Sequence, residues 1–331
     1  MADDTPLLSV DHLRVEFDTR DGIAPVIQDL SFHLKAGETL GIVGESGCGK
    51  SMTALATMGL VPGPAGRIAG GAIRLMGEDL VTAGEKRMRE VRGNDISMIF
   101  QEPMTSLNPV FSVGDQIGET VRVHQGLSKK DAHDRATEML KAVGIPAPER
   151  RVNEFPHQLS GGMRQRVMIA MALACQPKVL IADEPTTALD VTVQAQIFDL
   201  LQQLQEDTGT AIILITHDMG AIAEMAERVI VMYAGRKVED GAVGDILSQP
   251  LHPYTKGLIR CVPHLEAEPA LERHDLMEIP GVVPGLTQLG RPGCPFAPRC
   301  AERRDACSEM PGEKMHGEHR VACWAAEGAA A

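Results

Sequence analysis

Eight consecutive residues, Gly44-Glu45-Ser46-Gly47-Cys48-Gly49-Lys50-Ser51, match the pattern G-x-x-x-x-G-K-S. Glycines there let successive backbone N–H groups turn inward and wrap a chain of phosphates. A helix that starts at Lys50 adds about half a positive charge at its N-terminus. Lys50 is placed to reach the β- and γ-phosphates and the Ser51 hydroxyl to bind Mg2+, with Met52 next in the row. A second constellation is the apolar run Val179-Leu180-Ile181-Ala182, which ends in Asp183-Glu184. Ligands of an open parallel sheet sit at the carboxyl ends of its strands. Asp183 there faces Mg2+, and Glu184, one residue further on, polarises a water against the γ-phosphate. A strand ending in two acids is ordinarily a solvated turn; beside a phosphate loop it reads as metal and water chemistry.

These groups need strands that end where they begin. Leu40 to Val43 is a short apolar run that leads into the glycine loop, and a helix is predicted from Lys50 towards Met58. Residues 7 to about 100 read as strands, with turns at Asp21-Gly22, Ala36-Gly37 and Gly70-Gly71. From about 102 to 165 the period becomes helical, as in Ala132, Ala136, Met139, Leu140 and Val143, with a stop at Gly144. Val179 to Ala182 and Ala211 to Ile215 are strands. Between them Val193, Ile197, Leu200, Leu201 and Leu204 mark one helix face, which Gly209 closes. Alternation of strand and helix implies an α/β fold with a mostly parallel sheet. Beyond about 246 the chain is rich in Pro and Gly and reads as an irregular C-terminal appendage.

Composition removes whole classes. The chain has 331 residues with a net charge of −13, and aromatics make up 3%. An acidic balance argues against a nucleic-acid binder, which shows a basic face, and scarce aromatics argue against base stacking. No segment approaches the ~20 apolar residues of a membrane span; the best run, Val167 to Cys175, follows Arg164 and Arg166. Met1-Ala2-Asp3-Asp4 is acidic where a signal peptide is basic, so a cytoplasmic chain with thiols or metal ligands rather than disulfides is expected.

Leu159-Ser160-Gly161-Gly162-Met163-Arg164-Gln165-Arg166 stands between the phosphate loop and the acid pair. With both of them it closely resembles the signature of ABC-type ATPases. The resemblance covers about residues 7–245. It implies a nucleotide-binding domain with an N-terminal antiparallel β part, a mostly parallel core and a helical insertion. It also implies that Gln101 is the Q-loop glutamine and a Mg2+ contact beside Ser51 and Asp183, that Ala188-Leu189-Asp190 is the D-loop, that His217 is the switch histidine, and that Phe17 stacks on adenine. Catalysis then rests on Glu184, His217 and Gln101, and ATP is held by residues 44–52. Ser160 and the N–H groups of Gly161 and Gly162 form an anion site at a helix start, which the family uses in trans across a pair of ATPase domains. One phosphate loop and one signature per chain thus make two half-sites.

A narrower resemblance rests on Glu102-Pro103-Met104-Thr105-Ser106-Leu107-Asn108-Pro109, on residues 182–192, on His252-Pro253-Tyr254-Thr255 and on Pro280-Gly281-Val282-Val283-Pro284-Gly285. These are similar to segments of the dipeptide and oligopeptide importer ATPases, in particular the D-type subunit. That likeness divides the chain into an ATPase domain, 1–245, and a C-terminal extension, 246–331. It implies an F-type ATPase partner, two membrane permease subunits and an extracytoplasmic solute-binding protein, no nucleic acid, and a peripheral position on the cytoplasmic face of the cell membrane. Cys48 departs from the family's usual serine. Its position contributes mainly backbone N–H, so activity is expected to survive, with added sensitivity to thiol oxidants.

Four of the seven cysteines, Cys294, Cys300, Cys307 and Cys323, cluster with spacing C-x5-C-x6-C-x15-C. Structural zinc generally uses tighter pairs, whereas four wide, Pro-flanked thiolates are compatible with an iron–sulfur cluster. Some importer ATPases of the kind this chain resembles carry a 4Fe–4S cluster here. Zinc and four unrelated thiols are the alternatives. Cys175 and Cys261 read as small hydrophobes. The leading expectation is an ATPase that powers peptide import. Related ATPases serve nickel, glutathione and other solutes, and a soluble ABC ATPase or a redox-sensing module are the rival readings.

Overall fold

Parallel strands buried on both faces account for the apolar runs that end at the candidate residues. In the computed structural model, which describes residues 5–101, 106–186, 190–262 and 278–326, the chain order of strands and helices is as follows. The first half holds β1 (Leu8–Thr19), β2 (Gly22–Leu34), β3 (Thr39–Val43), α1 (Lys50–Thr57), β4 (Gly66–Leu75), β5 (Glu78–Asp79), α2 (Gly84–Val91), β6 (Ile96–Ile99), α3 (Val113–Gln125), α4 (Lys129–Ala142), α5 (Pro148–Arg151) and α6 (Gly161–Leu173). The second half holds β7 (Val179–Asp183), α7 (Val191–Thr208), β8 (Ala211–Thr216), α8 (Met219–Met225), β9 (Arg228–Tyr233), β10 (Arg236–Ala242), α9 (Val243–Ser248), α10 (Pro253–Arg260), β11 (Lys314–His316) and β12 (His319–Val321). The chain divides into two compact units: Met1–Leu8, Leu34–Thr39 and Arg74–Ile215 form one, and Ser9–His33, Leu40–Ile73 and Thr216–Ala331 the other.

In the first unit β6, β7 and β8 are parallel neighbours, with Ile96 opposite Val179 and Val179 opposite Ala211. Every residue of β6 and β7 is buried, as continuous apolar strands of a covered parallel sheet must be. Parallel strands need a crossover, and α7 supplies it between β7 and β8. Its buried face is Ile197, Phe198, Leu200 and Leu201, and Gly209 ends it at φ 68°. Helices α3, α4 and α6 pack on one another. Ser112, Ser128 and Ser160 cap them, each side-chain oxygen accepting a backbone N–H from the first turn. The expected face of α4 is buried at Ala132, Ala136, Met139 and Leu140.

In the second unit β2, β1 and β4 lie in that order, and β3 runs parallel to β9 from Leu40–Arg228 to Val43–Val231. β9 and β10 form a hairpin whose turn, Ala234-Gly235, takes φ values of 49° and 78°, the signature of a primed turn matched to strand twist. The C-terminal segment returns to this sheet: Glu239 and Asp240 of β10 face Val321 and Arg320 of β12, which pairs with β11.

Two expectations are corrected. Gly70-Gly71 is not a turn: β4 runs through it, and Gly71 takes φ 88° where any Cβ would collide with the His12 carbonyl, a close backbone approach that only glycine permits. The stretch to residue 100 is not all strand, because Gly84–Val91 is a helix.

Candidate functional site

The second unit carries the phosphate loop. β3 ends at Val43, Gly44, Gly47 and Gly49 all take positive φ, and α1 begins at Lys50. The first N–H groups of an α-helix fall outside its own hydrogen-bond ladder, which is what suits such a terminus to an anion. Lys50 is 5% exposed, and its Nζ donates to the carbonyls of Gly44 at 2.7 Å and Glu45 at 3.3 Å. The loop is closed by the Cys48 N–H donating to the Glu45 carbonyl at 3.2 Å and by the Gly235 N–H donating to the Cys48 carbonyl at 2.9 Å.

The Cys48 thiol is fully buried, and that burial raises its pKa. Thiol chemistry needs an accessible thiolate, so the sensitivity to oxidants expected at Cys48 is not what this environment provides. Phe17 is half-buried on β1, its ring beside the Cα of Gly66. His217 is exposed just beyond β8. The turn around it is set by Asp218, which donates its N–H to Thr216 Oγ1 at 3.0 Å and accepts the Gly220 N–H at 2.7 Å.

The first unit carries the acids and the signature. Asp183 closes β7 and is 3% exposed. Glu184 has φ 47°, and its N–H donates to the Ile215 carbonyl at 2.8 Å. A left-handed conformation at a non-glycine residue costs about 1–2 kcal/mol and is characteristic of functional positions. Gln101 Nε2 donates to Glu184 Oε2 at 2.9 Å. The next carbonyl, that of Pro185, accepts from the buried Gln165 amide of α6, tying the signature helix to the acid segment. Ser160 caps α6, its Oγ accepting the Met163 N–H at 3.4 Å, and Gly161 and Gly162 are its first helical residues. Ser160 and Gly161 are exposed. Asp190 is exposed and caps α7, accepting the Val193 N–H at 2.9 Å. Ala188 and Leu189 of the expected D-loop, and residues 102–105 after Gln101, lie outside the described residues.

The four tail cysteines are neighbours. The Cys294 N–H donates to the Cys307 carbonyl at 3.0 Å, Arg304 N–H to Cys307 Sγ at 3.4 Å, and Ala325 N–H to Cys323 Sγ at 3.3 Å. Burial is the main cause that pushes the Cys294 thiol up to about 11 and raises Cys300 and Cys323; charge on Cys307 and Cys323 raises Cys294 and Cys300 further. Among the described residues no three His, Cys, Asp or Glu side chains are grouped as a set that could hold a metal ion. The thiols thus share one neighbourhood without forming a ready-made chelate.

Sequence reasoning missed two residues that grip the loop. Tyr254 and Arg299 both contact Glu45. Tyr254 sits just after a Pro at the start of a helix, a legible signal, whereas nothing local marks Arg299.

The ABC transporter family model matches residues 27–187, and the model of the oligopeptide/dipeptide transporter C-terminal region matches 238–307. The chain is 50% identical over 320 residues to the dipeptide transport ATP-binding protein DppD of Bacillus subtilis, covering 96% of this chain and 94% of that one. It is 52% identical over 305 residues to the oligopeptide transport ATP-binding protein OppD of Salmonella typhimurium, covering 92% and 89%. Among solved structures, a dimeric ATP-binding cassette in a post-hydrolysis state with ADP and Pi matches with a TM-score of 0.64 and 27% identity over 71% of this chain and 98% of that one. The chain belongs to the ABC transporter ATP-binding family, in the branch that carries the oligopeptide/dipeptide transporter C-terminal region.

Proposed function

We propose that this chain hydrolyses ATP to power import of di- and oligopeptides, as the peripheral ATPase of a transporter with two membrane permeases, an extracytoplasmic solute-binding protein and an F-type ATPase partner on the cytoplasmic face of the membrane. The observation that carries this reading is identity of about half the residues, over nearly the whole length, with peptide-transport ATP-binding proteins. In it, residues 1–245 are the ATPase domain and 246–331 the importer-type extension.

Within that reading, the N–H groups of residues 44–52 and Lys50 bind the phosphates, and Phe17 packs on adenine. Ser51, Gln101 and Asp183 would hold Mg2+, which would supply neutralising charge to the phosphates; oxygen donors of this kind suit the ion. Glu184 takes the proton of the attacking water, Gln101 orients Glu184, and His217 stabilises the γ-phosphate. Ser160, Gly161, Gly162 and Asp190 serve the nucleotide of the opposing ATPase, which fits the exposure of Ser160, Gly161 and Asp190. The test is ATP turnover in the assembled transporter, with and without peptide; stimulation by nickel or glutathione instead of peptide assigns the chain to that solute.

The same reading gives the tail a 4Fe–4S cluster on Cys294, Cys300, Cys307 and Cys323, supported by four neighbouring thiols and by backbone N–H donors to two of the sulfurs. Loading requires the thiols to draw together and lose their protons. Protein purified without oxygen is expected to be brown, with iron and sulfide, and to lose both when any one of the four is replaced by Ser. One zinc per chain replaces the cluster with a structural zinc site, and no metal leaves four plain thiols.

A further inference from the structure

Two segments singled out in the sequence, His252-Pro253-Tyr254-Thr255 and Pro280-Gly281, have no part in the chemistry above. The first meets Glu45 of the phosphate loop directly, and the second holds Arg299, which pairs with the same residue. Arg299 Nη1 donates to Glu45 Oε2 at 2.6 Å and Nη2 to Glu45 Oε1 at 3.0 Å, a bidentate pair. The rest of the guanidinium is also engaged. Nε donates to the Pro280 carbonyl at 2.8 Å, Nη2 to the Ile279 carbonyl at 3.0 Å and Nη1 to the Tyr233 hydroxyl at 3.4 Å. A guanidinium has five N–H donors, and these five contacts use them. The Arg299 side chain is 4% exposed and that of Glu45 26%. Gly281 takes φ 84°, and a Cβ on it would stand 3.1 Å from Arg299 Cγ, so this glycine leaves the path that the arginine stem follows.

The backbone of Glu45 is held as well. Its N–H donates to the Tyr254 hydroxyl at 2.7 Å. Tyr254 is itself fixed by ring contacts to Tyr233 and Phe296, with centroids 4.7 and 5.4 Å away. It is also the second residue of a helix that His252 caps, with Nδ1 accepting the Tyr254 N–H at 3.0 Å. Glu45 lies directly after Gly44, and the carbonyls of these two residues are the ones that Lys50 Nζ meets. The loop is flexible by composition, with three glycines at positive φ. Anchoring Glu45 at both its backbone and its carboxylate removes that freedom at the point where the loop leaves β3.

We propose that Arg299 and Tyr254 are positioning residues for nucleotide binding: the C-terminal segment holds the phosphate loop in its binding shape through Glu45, so that this chain's ATP affinity depends on its own tail. The proposal rests on the reading of residues 44–52 as the ATP site. Both residues act through Glu45 and before any chemical step.

The experiment compares full-length Arg299→Ala, Arg299→Lys, Glu45→Gln, the Arg299→Ala/Glu45→Gln double variant and Tyr254→Phe. It measures equilibrium binding of a fluorescent ATP analogue with Mg2+, thermal melting without nucleotide, and KM and kcat in the assembled transporter. Loss of a charged hydrogen-bonded pair predicts about tenfold weaker ATP binding for Arg299→Ala. KM is expected to rise with it while kcat changes little, and Arg299→Lys to recover part of the loss. The double variant is expected to be no weaker than either single one, because both remove one contact. Affinity within about twofold of the parent in folded Arg299→Ala, or additive losses in the double variant, overturns the proposal. Should Arg299→Ala fail to fold, Tyr254→Phe decides, since it keeps the ring and deletes the hydroxyl: unchanged affinity at an unchanged melting temperature overturns the proposal, and weaker binding supports it. Lys50→Ala separates the two readings. Weak binding there with full binding in Arg299→Ala defeats the positioning role alone, whereas no binding by the parent chain defeats the ATP site itself.

Discussion

Glu184→Gln keeps ATP bound and stops its turnover. The amide retains the shape of the side chain and can still present an oxygen to the Gln101 amide, which in the parent lies 2.9 Å from Glu184 Oε2. The left-handed backbone at this position is untouched, so the end of β7 keeps its geometry. What is lost is the basicity that receives the water's proton, and loss of a general base costs about 10²–10⁴-fold in rate. Since nucleotide binding persists while cleavage fails, the variant accumulates as an ATP-bound pair of ATPase domains. Turnover assays in the assembled transporter, together with sizing in the presence of ATP, check this. Hydrolysis close to that of the parent removes Glu184 from the role of base.

Lys50→Ala fails one step earlier, at binding. Lys50 stands at the first residue of α1 with a buried ammonium group whose contacts are two loop carbonyls. That charge has strong reason to exchange a neutral acceptor for an anionic one, because a hydrogen bond to a charged group contributes about 1.5–3 kcal/mol. The expected loss is therefore about 10- to 100-fold in ATP affinity, read by equilibrium binding of labelled nucleotide. An unchanged dissociation constant contradicts the assignment of the loop. The contrast between the variants is informative: one separates chemistry from binding, and the other removes binding.

Much of the site could be read from the chain because its signals are local. A buried parallel strand must be an uninterrupted apolar run, so β3 and β7 announce themselves, and the glycines or acids that follow mark their carboxyl ends. Helices α4 and α7 expose their period directly, and their glycine stops hold in the structure. What escaped depends on distant partners or short spans. Helix α2 is eight residues with Met88 and Val91 as its buried positions, too few turns to display a period. Gly70-Gly71 looks like a turn until the His12 backbone is known to pass against it. The strands β11 and β12 have three residues each and exist through pairing, β12 with β10 and β11 with β12. Arg299 meets Glu45 across 254 positions of sequence, and nothing around it hints at that. Cys48 could be seen as a departure, but its burial, which decides its reactivity, could not.

The central claim is that this chain supplies half of each of two ATP sites and turns over in a peptide importer. The most direct measurement is the ATP hydrolysis rate of the full chain in dilute, demonstrably monomeric solution, then with its ATPase partner and permeases, then with solute-binding protein and peptide. The two-half-site arrangement predicts slow hydrolysis by the monomer, a rise on assembly because each phosphate loop gains a signature from the opposing subunit, and a further rise with peptide. Full hydrolysis by the monomer, unaffected by partners or peptide, contradicts it.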